Sequence, residues 1–136
     1  MEEHVALIIK NENREILFIQ RSFNKKTLPG AWSFPSGTVE EGENINKTAL
    51  REAYEELGVE INFDKIIAET ELPEFSVKLI FVLCSIKNGK IFIKEPNEIN
   101  KIEWMTFNEF FNKFSDNEIG HGLVWLRKNP EIWGNL

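Results

Sequence analysis

The chain has 136 residues, of which 22 are acidic and 16 are basic, and its formal net charge is −6. This length, with a hydrophobic content of 42%, predicts one domain over residues 1–136 with a core of its own. The single cysteine, Cys84, excludes an intramolecular disulfide framework, and no apolar run approaches the ~18 residues of a membrane span, so we expect a cytoplasmic protein without a membrane segment.

The negative charge is concentrated in one part of the sequence. Residues 37–60 contain seven glutamates and two basic residues, which gives a local charge of −5, and the other 112 residues contribute only −1. A diffuse acidic surplus would indicate only solubility, whereas a concentrated one indicates a counter-ion. The acidic balance and the lack of a basic stripe also predict that the chain forms no stable complex with nucleic acid.

The N-terminal part of the sequence is rich in β-forming residues. Residues 5–10 and 15–20 are separated by the polar turn 11–14, which predicts a β-hairpin. Residues 22–31 predict a loop, because they are polar and end in Leu-Pro-Gly. Residues 32–34 alternate as a short strand does, with Pro35 restricting it to a sheet edge or a strand end, and a glycine-bearing loop is predicted for residues 36–42.

A helix is predicted over residues 45–57. Asn44 is a typical N-cap residue, and Gly58 stands where a left-handed residue ends a helix. At 100° per residue, one side of this helix carries the apolar residues Ala49, Leu50, Ala53, Tyr54 and Leu57. The other side carries Thr48, Arg51, Glu52, Glu55 and Glu56.

The remaining sequence predicts strands followed by helices. Strand-like runs cover residues 61–70, 75–87 and 90–95, and the middle run is the most apolar, which predicts a central position in its sheet. Capping-box spacing at residues 106–109 opens a predicted helix to about residue 114, and the same spacing at residues 115–118 precedes a final helix that Pro130 should end. Strands on both sides of one helix, with further helices after them, predict an α/β sandwich on a mixed sheet.

Three glutamates of the predicted helix, Glu52, Glu55 and Glu56, are spaced i, i+3 and i+4, so one face presents three carboxylates together. On an open surface such a face is only solubilising, and this alternative stays open on the spacing alone. Inside a cleft, two such charges ~5 Å apart repel by roughly 3 kcal/mol at an effective dielectric of 20. A divalent cation removes that repulsion, and hard oxygen ligands select Mg²⁺ or Mn²⁺.

Residues 37–59, GTVEEGENINKTALREAYEELGV, resemble the Nudix box: glycine, five residues, glutamate, seven residues, Arg-Glu, an aliphatic residue, any residue, Glu-Glu, any residue, glycine and an aliphatic residue. All seven fixed residues match: Gly37, Glu43, Arg51, Glu52, Glu55, Glu56 and Gly58. The preceding segment, LPGAWSFPSG, is similar to that of many MutT-like members. The chain departs from the family pattern at Ala53, where a larger aliphatic residue is usual, and at Ser36, which replaces a glycine.

This resemblance to the Nudix superfamily implies an α/β/α sandwich with a mixed sheet and hydrolysis, dependent on Mg²⁺ or Mn²⁺, of a nucleoside diphosphate linked to another group, X. It implies that Glu52, Glu55 and Glu56 bind metal with the carbonyl of Ser36. Glu43 and Arg51 would form an ion pair that ties the loop to the helix, and Gly37 and Gly58 would be structural. Either Glu52 or a later loop glutamate would be the general base, with Glu98 the best-placed loop candidate and Glu95 and Glu103 nearby.

The resemblance also suggests residues that contact the substrate. Arg21 aligns with an arginine that is frequent in MutT-like members, and a guanidinium suits phosphate binding, whereas Lys25 and Lys26 are predicted to be solvated. Trp32 and Phe34 are candidates for stacking against a base. His4 and His121 match no metal-binding spacing, and Cys84 is predicted to be a buried packing residue.

The sequence does not distinguish between several substrates. The short chain favours a small substrate, a nucleoside triphosphate, oxidised or not, that yields a monophosphate and pyrophosphate. Dinucleoside polyphosphates, nucleotide sugars and ADP-ribose are alternatives, and the chain is expected to act as a monomer or homodimer. An isopentenyl diphosphate isomerase shares this fold, and QRSFNKK resembles its segment before the box, but it needs a cysteine there that this chain lacks. A non-catalytic Nudix ligand sensor is disfavoured because all box glutamates are present.

Overall fold

The computed structural model describes all 136 residues, with seven strands, four helices and two short 3₁₀ turns. The strands are β1 (Glu2–Ile9), β2 (Ile16–Arg21), β3 (Trp32–Ser33), β4 (Ser36–Thr38), β5 (Glu60–Leu72), β6 (Val77–Asn88) and β7 (Ile99–Met105). The helices are α1 (Ile45–Leu57), α2 (Phe107–Lys113), α3 (His121–Arg127) and α4 (Pro130–Trp133), and the 3₁₀ turns are Pro73–Phe75 and Asp116–Glu118. None of these helices has the length and apolar character needed to cross a membrane.

Two sheets form the centre of the fold. One is a mixed sheet in the order β4-β1-β6-β5, and the other is an antiparallel sheet in the order β3-β2-β7. Side chains of β1 alternate between two cores: Val5 and Leu7 pack in the core that contains the apolar residues of α1, and Ala6 and Ile8 pack in the core that contains those of α2 and α3. Helices therefore cover both sides, and the predicted α/β/α sandwich with a mixed sheet is confirmed.

The predicted hairpin of residues 5–20 is wrong. β1 pairs with β4 and β6, whereas β2 pairs with β3 and β7, and only an isolated bridge between Lys10 and Ile16 links the two strands. Each strand is an interior strand of its own sheet, so the turn between them carries the chain from one sheet to the other. Both strands are apolar on both faces for this reason, a pattern that differs from the alternation of a hairpin with one solvated face.

The segment after the central strand also differs from its prediction. β6 lies between β1 and β5, which confirms its central position, but residues 90–95 form no strand. They lie instead against the end of α1, where the backbone N–H groups of Phe92 and Lys94 donate to the carbonyls of Leu57 and Glu56 at 3.2 and 3.1 Å. These bonds satisfy acceptors that every helix end leaves free. The strand of this region is β7, which the sequence does not predict.

α1 has the predicted bounds and caps. The Asn44 side chain accepts a hydrogen bond from the Lys47 N–H at 2.8 Å, and Gly58 ends the helix at a φ of +68°. The buried face, however, is rotated from the predicted one, because Leu50 and Tyr54 are 43% and 56% exposed. Thr48 and Glu56, predicted on the polar side, are buried with Ala49, Ala53 and Leu57.

Two short segments were also predicted differently from their structure. Residues 36–38, predicted as part of a loop, form β4, which pairs with β1. The capping box at Thr106 begins α2 as predicted, but that at Ser115 caps only a 3₁₀ turn, because the chain then becomes extended and Ile119 bridges to Trp32. Pro130 begins α4 rather than ending a helix.

Gly58 provides a test of the contact between α1 and the following loop. A Cβ at Gly58 would lie 2.2 Å from Cε1 of Phe92, whereas a Cβ at Gly42, whose φ is also positive, would meet nothing within 4 Å. Gly42→Ala should therefore cost only the backbone strain of about 1–2 kcal/mol, and Gly58→Ala should cost this strain and up to about 1 kcal/mol more, because the half-exposed Phe92 ring has to turn away from the new methyl group. Urea denaturation measures both values. Equal losses for the two variants would show that the contact of the Phe92 ring with Gly58 contributes nothing to stability.

Candidate active site

An acidic cavity of about 380 Å³ lies where β4, α1 and the loop of residues 89–98 meet. Its lining contains no hydrophobic residue, and Arg51 is its one basic residue. Six glutamates line it: Glu40, Glu52, Glu55, Glu56, Glu95 and Glu98. The structure thus brings together the three helix glutamates and two of the three loop candidates. Glu103, the third, lies on β7 with its carboxylate 3.7 Å from Nζ of Lys113 and is not part of the cavity.

Backbone contacts hold the walls of this cavity close to the carboxylates. β4 pairs with β1 through Ser36 and Gly37, and a Cβ at Gly37 would lie only 2.0 Å from Oε1 of Glu52. Glycine is therefore required for β4 to lie so close to α1. On the other side, the N–H of Lys94 bonds to the carbonyl of Glu56, and Nζ of Lys94 lies 3.6 Å from the centre of the Tyr54 ring. These contacts fix residues 94 and 95 beside the helix.

Arg51 is the centre of the charge network. Its Nε and Nη2 donate to the two carboxylate oxygens of Glu43 at 2.7 and 2.9 Å, and Nη2 also donates to the carbonyl of Thr38 at 3.0 Å. Its Nη1 donates to Glu52 at 2.7 Å and to Glu55 at 3.2 Å. The structure therefore contains the ion pair between loop and helix that the resemblance implies, and every nitrogen of this guanidinium has a partner.

The network shifts the titration of the two partners in opposite directions. The side-chain hydrogen bonds from Arg51 lower the pKa of Glu43 to about 2, with help from the backbone N–H of Glu40. The hydrogen bond with Glu43 in turn raises the pKa of Arg51, which stays charged. Glu43 is thus ionised at any physiological pH.

Glu56 lacks the compensation that Glu43 receives. It is only 8% exposed, and its Oε2 is buried without a hydrogen-bond partner. Burial, followed by repulsion from Glu52 and Glu95, raises the pKa of Glu56 well above its usual range. Burial also raises the pKa of Glu52, in spite of the bond from Arg51. A buried and a partly buried carboxylate, both with raised pKa values, therefore lie on one helix face.

The donor set fits a hard divalent cation. The side-chain oxygens are those of carboxylates and of two hydroxyls, the carboxylates outnumber the cations, and the unpartnered Oε2 of Glu56 is a free ligand position. The carboxylates are not already grouped as a metal-binding cluster, because Glu52 and Glu55 both accept hydrogen bonds from Nη1 of Arg51. Each of these two carboxylates uses one oxygen in its bond to Arg51, so its second oxygen remains available to a metal ion.

Glu98 lies at the rim of the cavity. Its side chain is about half exposed, and its Oε2 forms an ion pair with Nζ of Lys25. Lys25, predicted to be solvated, is therefore partly buried against a site residue. The sequence gives no signal for this pair, because its members lie 73 residues apart on two different loops.

A second cleft, of about 200 Å³, shares Ser36 with the acidic cavity. Its floor is apolar and consists mainly of Phe34, Phe81, Ala6, Leu79 and Leu123. His4 and His121, which the sequence does not single out, line it together with Arg21 and Ser33. The acidic cavity therefore has a neighbouring cleft with an apolar floor.

The predicted substrate residues occupy different positions around this cleft. Phe34 lies in the floor of the cleft. Trp32 does not line the cleft and stacks on Phe114, with the two ring centres 5.3 Å apart. Arg21 lines the cleft, but its Nε and Nη2 donate to Thr27 and to the carbonyl of Leu28, so this guanidinium holds the loop of residues 22–31. Phosphate contact by Arg21 and base stacking by Trp32 stay predictions.

The ion pair of Glu43 gives stability a specific dependence on pH. An ordinary glutamate titrates at 4.5 and Glu43 at about 2, so its contribution is complete above pH 4.5 and is lost as the pH falls to about 2. We expect Glu43→Gln to lower the free energy of unfolding at pH 7, and the difference from the native chain to shrink between pH 4.5 and 2. Urea denaturation at several pH values measures this difference in the free energy of unfolding, with Glu41→Gln at an exposed neighbouring residue as the control. A difference that stays constant over this range would contradict the prediction.

Known proteins share both the sequence and the fold of this chain. Nudix hydrolase 2 of Arabidopsis thaliana is 33% identical over 112 residues, which cover 80% of this chain and 40% of that protein. The peroxisomal coenzyme A diphosphatase ndx-8 of Caenorhabditis elegans is 30% identical over 106 residues, which cover 74% of this chain and 45% of that protein. The chain therefore spans less than half the length of these curated relatives.

The fold and a family model agree with these relatives. The crystal structure of a MutT protein from Methanosarcina mazei Go1 has a TM-score of 0.75 and 23% identity, covering 98% of this chain and 93% of that one, which shows the same fold. The family model of the NUDIX domain matches residues 2–124, a range that contains the whole acidic cavity. The resemblance found in the sequence is thereby confirmed, and the chain belongs to the Nudix hydrolase family.

Proposed function

We propose that the chain hydrolyses the diphosphate linkage of a nucleoside diphosphate linked to another group, X. The observation that carries this proposal is the junction at Ser36 of two unlike sites, an acidic cavity and an apolar cleft. A nucleotide has the same two parts, a phosphate chain and a planar base. The name of the nematode relative, a coenzyme A diphosphatase, supports the reaction class.

We propose Glu52, Glu55, Glu56 and the carbonyl of Ser36 as ligands of Mg²⁺ or Mn²⁺. Support comes from the unpartnered Oε2 of Glu56 and from the excess of carboxylates, which would otherwise repel a phosphate chain. When bound, such an ion would screen this charge and lower the pKa of the attacking water. Arg51 would keep Glu43 and the β4 backbone in place throughout, because its Nε and Nη2 bind outside the ligand set.

We propose Glu98 as the general base, with Glu52 as the alternative. Glu98 lies at the rim, where its Oε1 accepts no hydrogen bond and its carboxylate is accessible to water. Glu52 is largely buried, bonds to Arg51 and would be occupied in binding metal. A base needs a free oxygen within reach of the water that it deprotonates, and Glu98 meets this condition better.

The finer proposal concerns the substrate. The cleft of about 200 Å³ is smaller than the ~300–1,000 Å³ of drug-sized pockets, which favours a single base. We therefore propose a nucleoside triphosphate, oxidised or not, as the substrate, with a monophosphate and pyrophosphate as products. Dinucleoside polyphosphates, nucleotide sugars, ADP-ribose and coenzyme A carry the same linkage and are the alternatives.

We further propose that residues 1–136 act as one Nudix domain, in the cytoplasm, as a monomer or homodimer. Support for a single domain comes from β1, whose side chains contribute to both cores. Support for a reducing compartment comes from Cys84, which is buried and has no disulfide partner. Because the relatives are longer than this chain, the activity of the whole protein is also a proposal.

The direct test of the function is a substrate panel assayed with MgCl₂ and with product identification. The panel contains ordinary and oxidised nucleoside triphosphates, nucleotide sugars, ADP-ribose, coenzyme A and diadenosine polyphosphates. On the substrate found, we expect Glu98→Gln to lower kcat by about 10²- to 10⁴-fold, because it removes the base and leaves the metal ligands in place. Glu103→Gln, on β7 and outside the cavity, should change kcat less than about twofold.

Two outcomes would overturn parts of this account. Absence of turnover on the whole panel would contradict the hydrolase and favour a ligand sensor. Full activity of Glu98→Gln would contradict its role as the general base and leave Glu52 as the alternative.

A further inference from the structure

A diphosphate that enters the acidic cavity needs a cation supplied by the protein at its rim. Six glutamates line the cavity, and every nitrogen of Arg51, its one basic residue, already has a carboxylate or carbonyl partner. A bound cation would screen the floor, where Glu56 is buried, but only a basic side chain could donate a charge-assisted hydrogen bond to a phosphate oxygen at the rim. The basic side chains near the rim are therefore the candidates for binding such phosphate oxygens.

The charged groups of the other nearby cations do not contact the acidic cavity. Arg21 donates to Thr27 and Leu28 and so holds its own loop. Lys94 lies over the ring of Tyr54 at 3.6 Å, on the outer side of α1. Lys26 is exposed and forms no ion pair or hydrogen bond. Among these side chains, only Lys25 brings its charged group into contact with a residue that lines the cavity, Glu98.

The position of Lys25 is built by the backbone rather than by a flexible side chain alone. Ser22 is 5% exposed, and its N–H donates to the carbonyl of Glu98 at 2.9 Å, which ties the loop of residues 22–31 to the rim. The N–H of Lys25 bonds to the carbonyl of Ser22 at 3.2 Å. These two bonds hold the backbone of Lys25 close to that of Glu98, so the Lys25 ammonium reaches the Glu98 carboxylate.

We propose that Lys25 is a substrate-binding residue that passes from Glu98 to a phosphate oxygen of the substrate. An ammonium group has three donors, and the bond to Glu98 uses one, so the others can reach a second acceptor. A partly exposed ion pair contributes little stability, so exchanging its carboxylate for a more highly charged phosphate is not opposed. The exchange also frees the Glu98 carboxylate for water. This inference rests on the proposed function, because it takes a diphosphate as the ligand.

Calorimetric titration with inorganic pyrophosphate in MgCl₂ tests the proposal without turnover and without knowledge of the base. We expect Lys25→Met to bind pyrophosphate about 10- to 100-fold more weakly than the native chain, since a charge-assisted hydrogen bond is lost. Lys25→Arg should retain most of the affinity, because it keeps the charge. Lys26→Met is the matched control and should change the affinity less than about twofold. Thermal unfolding of each variant checks that it is folded.

Glu98→Gln separates substrate binding from a merely structural ion pair. If Lys25 binds phosphate, this variant frees the ammonium and keeps or strengthens pyrophosphate binding, whereas Lys25→Met weakens it. If the pair only holds the two loops together, both variants weaken binding alike, and the proposal is wrong. It is equally wrong if Lys25→Met binds as the native chain does, or if the native chain binds no pyrophosphate. Loss of binding in Lys25→Met alone, with no hydrolysis of any panel substrate, would keep this inference and overturn the proposed reaction.

Discussion

Repulsion between carboxylates that share one small cavity is the constraint on which the rest of the site depends. Arg51 relieves it for Glu43, Glu52 and Glu55 by direct hydrogen bonds. It does not reach Glu56, whose Oε2 is buried without a partner, and the pKa of Glu56 rises accordingly. A side chain in this position destabilises the ionised protein, and the proposed cation would remove this cost.

The surrounding fold keeps this unfavourable cluster together. Gly37 lets β4 lie against Glu52, and the loop that follows β6 caps α1 and brings Glu95 to the cavity. The loop of residues 22–31 bonds to the carbonyl of Glu98 through Ser22. Three segments that are distant in sequence thus converge on one helix face, and Ser36 connects that face to the apolar cleft.

Local signals made part of this structure predictable. The caps at Asn44, Gly58 and Thr106 act within a few residues, so the bounds of α1 and the start of α2 could be read directly. Features that depend on residues distant in sequence could not be predicted in this way. Residues 90–95 have the composition of a strand but bond to the end of α1, and Glu56 is buried although the helical periodicity places it on the polar side of α1. Likewise, nothing in the sequence pairs Lys25 with Glu98 or brings His4 and His121 to one cleft.

The central claim is that Glu56 is buried in order to bind a divalent cation. Thermal unfolding of the native chain and of Glu56→Gln, with and without MgCl₂ at constant ionic strength, tests it most directly. Without metal, the variant should unfold at the higher temperature, because a neutral amide replaces an unpartnered buried carboxylate. Added MgCl₂ should raise the Tm of the native chain, since a ligand of the folded state stabilises it, and should raise that of the variant less, because one of the proposed ligands is lost. An equal rise for both proteins, or a metal-free variant less stable than the native chain, would contradict the claim.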